Sequence, residues 1–165
     1  MTVKELIKEK GFSIKNITLY GVDADGNHND FERDYIDCDD IYDEFEVHDY
    51  IVNDGIIIFI KTDVYAVACI TGNLDYKKVT RDNFFEQFAQ QDMGYIYLYD
   101  RCNTLEEAEN KFENYQSHAE KISGTLTLEY TLYTLVKWDA EDDLWEEIRY
   151  AEWDEATEFR WDKED

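Results

Sequence analysis

The chain has 165 residues and a formal net charge of −24, from 40 acidic and 16 basic side chains. This length is typical of one domain with enough chain to bury a core. Hydrophobic residues make up 44% of the sequence and aromatic residues 16%, which excludes a disordered acidic tail. The three cysteines are odd in number and lack CxxC or CxxH spacing, which argues against a disulfide framework and a zinc site.

The amino-terminal stretch MTVKELIKEK lacks the apolar segment of a signal peptide. The longest apolar runs, residues 56–60 and 64–70, are much shorter than a membrane span. Cys69 lies inside the second run and is expected to be a small core residue rather than a nucleophile. We therefore expect a cytoplasmic protein whose cysteines stay reduced.

The first third of the chain predicts one helix followed by strands. Thr2 and Glu5 form a capping box and Gly11 supplies a stop, so residues 2–10 are expected to be helical. The stretch SIKNITLYGV has the β-branched and aromatic content of a strand, and Asp25-Gly26 predicts a hairpin turn before FERDYI. A second turn at residues 53–55 separates EVHDYIV from GIIIFIK, and the apolar runs in GIIIFIK and in the following DVYAVACIT predict central strands of a sheet that are covered on both faces.

Helical spacing returns in RDNFFEQFAQQ and in the segment TLEEAENKFENYQSHAEKIS, which begins with a capping box, and GYIYLYD between them predicts a short strand. After Gly124 the alternation in TLTLEYTLYTLVKW predicts a long strand, joined by a polar turn at residues 139–143 to LWEEIRYAEW. The sequence therefore predicts a single α+β domain over residues 1–165, with a largely antiparallel sheet, about three helices and a C-terminal β-hairpin.

The negative charge is concentrated in two segments. Residues 22–54 contain 13 acidic residues against Arg33 alone, and residues 139–165 contain another 13 against three bases. Together these segments hold 22 of the 24 excess negative charges, whereas the other 105 residues carry 14 acids and 12 bases. Such concentration creates a field that steers a basic partner toward both segments and opposes the approach of nucleic acid.

Several acids in these segments are two residues apart. On a strand, this spacing places carboxylates about 6 to 7 Å apart on one face, which is comparable to neighbouring phosphates of a nucleic-acid strand. The pairs with this spacing are Asp23 and Asp25, Asp37 and Asp39, Glu44 and Glu46, and Asp139 and Glu141. We interpret them as a surface able to occupy a site that normally holds DNA or RNA.

Aromatic residues accompany both acidic segments. All four tryptophans, Trp138, Trp145, Trp153 and Trp161, lie in the last 28 residues. Tryptophan and tyrosine are preferred interface anchors, and their ring faces attract Arg and Lys. Trp145 and Trp153 are expected to be core residues of the final hairpin, so Trp161 is the better interface candidate.

By size, charge and interspersed aromatic residues, the chain resembles the acidic nucleic-acid-mimic inhibitors of phages and mobile elements, which include antirestriction and anti-CRISPR proteins; these share no residue motif. The resemblance implies a non-catalytic inhibitor that binds the basic nucleic-acid-binding groove of a host defence protein, such as a CRISPR effector or restriction enzyme. The predicted partner-binding residues are Asp37, Asp39, Asp40, Asp43, Glu44, Glu46, Asp139, Glu141, Asp142, Asp143, Glu146, Glu147 and Trp161.

Other functions remain open from the sequence. An immunity or antitoxin-like protein that neutralises a basic toxin would have the same electrostatics without mimicking nucleic acid. The stretch VDADGNHNDFE partly matches a calcium loop, with suitable residues at Asp23, Asp25, Gly26, Asn29 and Glu32. The first ligand position falls on the preceding Gly21, which has no side-chain oxygen. The three histidines lie outside any catalytic signature, so we expect no enzymatic activity, no cofactor and no bound metal.

Overall fold

The computed structural model describes residues 1–90 and 96–159 and has the α+β composition predicted from the sequence. The described residues form three helices, α1 Val3–Lys10, α2 Phe84–Ala89 and α3 Leu105–Phe112. They also form nine strands: β1 Ile17–Val22, β2 His28–Asp34, β3 Val47–Val52, β4 Ile56–Lys61, β5 Tyr65–Asp75, β6 Ile96–Cys102, β7 His118–Lys121, β8 Thr127–Asp139 and β9 Leu144–Tyr150. The predicted C-terminal hairpin is β8 and β9, which pair with each other.

The chain divides into two compact units. The N-terminal unit consists of Met1–Tyr65 and Lys137–Glu146, and the second unit consists of Ala66–Val136 and Glu147–Asp165. Each unit has its own hydrophobic core. The assignment of residues 1–165 to a single domain concerns the chain as a whole and stays a prediction.

The N-terminal unit is built on a four-stranded sheet in the order β2-β1-β4-β3. The outer pairs are antiparallel, whereas β1 and β4 are parallel neighbours. Burial alternates along β1 and β4, so one face of the sheet supplies Ile17, Leu19, Ile56, Ile58 and Ile60 to the core. The core is completed by side chains from outside these two strands: Val3, Leu6, Phe31, Tyr42, Phe45 and Trp138.

Helix α1 begins and ends as its sequence predicts. The Thr2 side chain accepts a hydrogen bond from the backbone N–H of Glu5, and the Glu5 carboxylate accepts one from the N–H of Thr2. Gly11 ends the helix with φ 63°, a left-handed conformation that costs glycine little. These local bonds position Val3 and Leu6 against the sheet, where both are buried.

The second unit contains most of a five-stranded sheet in the order β6-β5-β8-β7, with β9 also paired to β8. Residues 66–70 of β5 are all buried, as expected for a strand covered on both faces, and Cys69 is among them. In β4, by contrast, burial alternates, so the prediction of cover on both faces is wrong for this strand, which buries one face only. The core of this unit is aromatic and centres on Phe84, which packs edge-to-face on Tyr130 and Trp153.

The predicted helix from residue 104 is shorter than its sequence pattern. Helix α3 ends at Phe112, and residues 118–121, expected to continue it, form strand β7. Ala119 of β7 is completely buried opposite Tyr130 of β8. Burial of this apolar position in the sheet outweighs the helical preference of the surrounding polar residues. None of the described helices has the length and apolar content needed to cross a membrane.

Candidate partner-binding surface

The first cluster of predicted partner-binding acids lies in the loop between β2 and β3. Residues 35–46, here called the acidic loop, form a 3-10 turn followed by successive tight turns. Tyr42 and Phe45 are 0% and 1% exposed and anchor the loop in the core. The acidic residues between and beside these anchors face solvent at Asp37, Asp39, Asp40, Glu44 and Glu46. The loop therefore presents its carboxylates because its aromatic residues are held inside.

Asp43 differs from the other acids of the loop. It is half-buried, and one of its carboxylate oxygens accepts a hydrogen bond from the Tyr35 hydroxyl. Burial, together with this carboxylate, raises the pKa of Tyr35 above its ordinary value, which keeps the hydroxyl protonated as a donor. Asp43 is therefore a structural residue of the acidic loop, with less carboxylate surface available to a partner.

The second predicted cluster meets the first within the N-terminal unit. Residues 139–143, here called the hairpin tip, connect β8 to β9, and their Asp143 carboxylate accepts a hydrogen bond from the buried Tyr42 hydroxyl. Arg33 Nε lies 3.4 Å from the other oxygen of Asp143. The same guanidinium donates to the backbone carbonyl oxygen of Ala140 at 2.9 Å and to that of Glu141 at 3.4 Å. Arg33 and Tyr42 thus join two acidic segments that are about a hundred residues apart in sequence.

The surroundings of this junction shift the pKa values of Tyr42 and Cys38. Burial, then the hydrogen bond to Asp143, raises the pKa of Tyr42, and the Arg33 charge partly opposes that rise. The indole Nε1 of Trp138 is buried and forms no hydrogen bond of standard geometry with the described residues, yet it lies near enough to Tyr42 to lower the pKa of that hydroxyl somewhat. Burial also raises the pKa of Cys38, so this thiol stays protonated and is a poor nucleophile.

The expected strand spacing of the predicted acids is wrong. Asp23 and Asp25 lie in the β1–β2 turn, Asp37 and Asp39 lie in the acidic loop, and Glu44 lies in a turn before the isolated bridge residue Glu46. Asp139 is the last residue of β8, and Glu141 is in the hairpin tip. Burial of Tyr42 and Phe45 folds the loop into turns, so the period of two in its sequence is not a strand period.

Strand-spaced carboxylates do occur, on β2. Glu32 lies opposite Tyr20 of β1 and Asp34 lies opposite Thr18, so both acids share the sheet face that bears Tyr20. Both are exposed, and the Tyr20 hydroxyl donates to Glu32 at 2.9 Å. Sequence reasoning placed neither among the partner-binding residues, although the alternation in DFERD around buried Phe31 is the signal that identifies them.

The remaining predicted residues are distributed between the units. Glu141, Asp142 and Glu146 are exposed in the N-terminal unit, whereas Glu147 is exposed in the second unit. Trp161 lies outside the described residues. Trp145 is partly buried with its ring 5.2 Å from that of Trp138. Trp153 packs on Phe84 at 4.8 Å, so Trp145 and Trp153 both contribute to cores, as predicted.

A cavity of about 690 Å³ lies in the N-terminal unit beside β2 and the hairpin tip. Its charged lining consists of five carboxylates and two bases: Asp30, Asp63, Asp139, Glu141, Glu146, Arg33 and Lys137. Phe31 and Trp138 form apolar parts of the cavity wall. The excess of carboxylates favours a cationic guest over an anionic one.

The partial calcium motif forms a hairpin turn between two strands. One carboxylate oxygen of Asp23 accepts hydrogen bonds from the backbone N–H groups of Asp25 and Asn27, both at 2.9 Å. Strands β1 and β2 flank the turn, where a calcium-binding EF-hand has helices. Over residues 1–90 and 96–159, no three His, Cys, Asp or Glu side chains form a group able to hold a metal ion.

One polar cluster was missed by the sequence interpretation. His118 Nδ1 lies 3.0 and 3.1 Å from the two carboxylate oxygens of Asp154, and its Nε2 lies 3.6 Å from Glu120. The hydrogen bond to Asp154 raises the pKa of His118, and the same bond lowers the pKa of Asp154. Thr157 donates to Asp154 at 2.8 Å. Pairing of positions 118 and 154 depends on the tertiary fold, and no local motif indicates it.

Comparisons of the chain with protein-family models, with curated proteins and with solved structures gave no match.

Proposed function

We propose that this protein is a non-catalytic inhibitor that binds the basic nucleic-acid-binding groove of a host defence protein and excludes DNA or RNA from it. The observation that carries the proposal is the junction of the acidic loop and the hairpin tip through Arg33, Tyr42 and Asp143. Two acidic segments distant in sequence are thereby held in one unit. Restraint of both segments before binding reduces the entropy lost on association.

The arrangement also supports the proposed mechanism. The loop and tip expose Asp37, Asp39, Asp40, Glu44, Glu141 and Asp142 around an anchored aromatic core. Exposed carboxylates steer a basic surface into contact and carry the same sign of charge as a phosphate backbone. Inhibition then follows from occupation of the groove, with no chemical step. On this proposal the protein acts in the cytoplasm of the host cell.

The test is capture followed by competition. The tagged protein is immobilised, exposed to nuclease-treated host lysate and eluted with a salt gradient, and the eluted proteins are identified by mass spectrometry. Salt weakens contacts between exposed charges, with a Debye length of about 10 Å at 0.1 M. We expect a discrete nucleic-acid-binding protein that elutes with salt and is displaced by added DNA or RNA.

Two results would contradict the proposal. Recovery of a partner that stays bound when DNA and RNA are in excess would indicate an immunity-type protein that binds away from a nucleic-acid site. Recovery of no specific partner from lysates that contain active restriction and CRISPR complexes would indicate an acidic surface without an inhibitory role.

A further inference from the structure

The sheet of the N-terminal unit has a second face, opposite the core, whose centre is aromatic. Leu19 and Ile58 are completely buried on the core face, so their neighbours Tyr20 and Phe59 lie on the opposite face. Tyr20 and Phe59 are paired across β1 and β4, with ring centroids 6.0 Å apart and planes inclined at 39°. The His28 ring lies 4.8 Å from Phe59. This face, here called the open sheet face, remains partly exposed to solvent.

Carboxylates border the aromatic centre on both sides. Glu32 and Asp34 lie on the β2 side, opposite Tyr20 and Thr18, and Asp49 of β3 lies opposite Phe59. All three acids are exposed. Lys61, which alternation also places on this face, is paired with Glu46 at 3.2 Å. The free charge at the border is therefore negative, although the centre is aromatic.

The rings of the open sheet face differ from those aromatic rings of the chain that already pack against a cation. Arg33 lies over Phe31, Arg149 over Phe112 and Lys121 over Tyr76, so these rings already carry a cation from the chain itself. Among residues 1–90 and 96–159, no arginine or lysine occupies the faces of Tyr20 or Phe59. The His28 ring covers part of Phe59, so the Tyr20 ring and the uncovered face of Phe59 are available to a cation from another molecule.

We propose that the open sheet face binds arginine side chains of a basic partner protein. The guanidinium plane stacks on Tyr20 or Phe59, and Glu32, Asp34 or Asp49 accepts its N–H groups. Arginine fits better than lysine because its planar, weakly hydrated group stacks on a ring and hydrogen-bonds a carboxylate in parallel. The inference rests on the proposed function in that the partner is basic, and it adds arginine selectivity at a surface outside the acidic loop and the hairpin tip.

The test compares octa-arginine and octa-lysine peptides as probes, with dissociation constants measured by fluorescence anisotropy at about 0.1 M salt. Lysine and arginine both form cation–π contacts, which favour binding by about two- to fivefold at an exposed site. Because only arginine combines ring stacking with parallel hydrogen bonds to a carboxylate, we expect a preference for octa-arginine of about fivefold. The double variant Tyr20→Leu/Phe59→Leu should lose most of this preference and keep only the part that arginine–carboxylate hydrogen bonds supply. Equal affinity in the unmodified protein, or an undiminished preference in the double variant, would overturn the inference.

Two further variants distinguish the contribution of the aromatic rings to peptide binding from that of the carboxylates. Tyr20→Phe/Phe59→Tyr keeps both rings and should keep the preference, which shows that the leucine variant fails for lack of rings. The triple variant Glu32→Gln/Asp34→Asn/Asp49→Asn should weaken the binding of both peptides, because it removes the carboxylates that border the rings. Circular dichroism melting checks that each variant folds. In amide NMR spectra, octa-arginine should shift residues of β1, β2 and β4, and shifts confined to residues 35–46 and 139–143 would overturn the location.

Competition with nucleic acid separates this inference from the proposed function. In parallel with the peptide measurements, the unmodified protein and the Tyr20→Leu/Phe59→Leu variant are both assayed for their ability to displace DNA from the captured partner. Failure of the unmodified protein to compete with DNA, with its arginine preference intact, contradicts the proposed function alone. Absence of the arginine preference, with DNA competition intact, contradicts the open-face inference alone.

Discussion

The two units carry comparable excess charge but arrange it differently. The N-terminal unit has 21 acidic and 7 basic residues, and the second unit has 19 and 9. In the second unit, Asp154 is paired with His118, Glu107 lies 3.8 Å from Lys111, and Glu158 accepts the backbone N–H of Lys121. Both units also have exposed acids that form no ion pair with any described residue, but in the acidic loop four of them, Asp37, Asp39, Asp40 and Glu44, are close neighbours in sequence, whereas those of the second unit, such as Asp82 and Glu113, are dispersed. The proposed binding surface therefore rests on unpaired charge held on an anchored loop rather than on net charge.

The largest expected effect contrasts the two aromatic anchors, Phe45 and Phe84. Each is buried in a cluster of rings, Phe45 against Tyr42 and Trp138 and Phe84 against Tyr130 and Trp153. Phe→Ala at either position should lower the free energy of unfolding by about 3 to 5 kcal/mol, measured by urea denaturation. Phe45→Ala should also abolish binding by the folded fraction, since it releases the acidic loop. Equal partner binding by the two folded variants would show that anchoring of the loop is not required.

Charge reversal compares the acidic loop with an equal number of acids elsewhere. Replacement of Asp37, Asp39, Asp40 and Glu44 by Lys should weaken partner binding about a hundredfold or more, because four unpaired exposed charges change sign. The matched control replaces four exposed acids of the second unit, Asp82, Glu86, Glu113 and Glu129, by Lys and gives the same net charge. Isothermal titration with the captured partner is the measurement. If both quadruple variants lose the same affinity, overall charge and not the loop determines binding.

Removal of single tyrosine hydroxyls compares how much the Tyr42–Asp143 and Tyr35–Asp43 hydrogen bonds of the N-terminal unit contribute to the free energy of unfolding. Tyr42→Phe removes the donor to Asp143 at a completely buried position and should cost about 1 to 2 kcal/mol of unfolding free energy. Tyr35→Phe removes the donor to Asp43 at a half-buried position and should cost less. The Tyr42 variant should also weaken partner binding, since it loosens the hairpin tip. A larger loss for Tyr35→Phe would mean that the junction with Asp143 is not the stronger bond.

The smallest expected effect is pH-dependent and belongs to the second unit. Because the folded pKa of His118 is raised, its pairing stabilises the fold below its unfolded pKa, about 6.5, and this contribution is lost as pH rises through the folded pKa. The lowered pKa of Asp154 makes its contribution present above about pH 4 and lost as pH falls. His118→Gln should therefore reduce the urea midpoint more at about pH 5.5 than at about pH 8.5.

His48→Gln is the matched control for this effect, because His48 is exposed and forms no ion pair with the residues that the structure describes. Its urea midpoint should follow that of the unmodified protein at both pH values. A pH-independent loss in His118→Gln would show that the residue contributes by packing and hydrogen bonding rather than by charge.

Local sequence determined the features that depend on neighbouring residues. The capping box at Thr2, the stop at Gly11, the turn at Asp25-Gly26 and the final hairpin all form as predicted, because their hydrogen bonds connect residues close in the chain. The α+β class and the concentration of acids in two segments follow from composition and periodicity in the same way. The strand alternation in DFERD around Phe31 is also visible in the sequence, although Glu32 and Asp34 were not identified from it as a candidate surface.

Tertiary structure alone decided which distant segments meet. The parallel pairing of β1 with β4, the junction of Arg33 and Tyr42 with Asp143, and the pairing of His118 with Asp154 join positions with no local relation. The acidic loop shows the physical reason most directly. Its sequence has the spacing of a strand, but burial of Tyr42 and Phe45 in the core stabilises turns instead, because removal of two large rings from water outweighs a weak local preference.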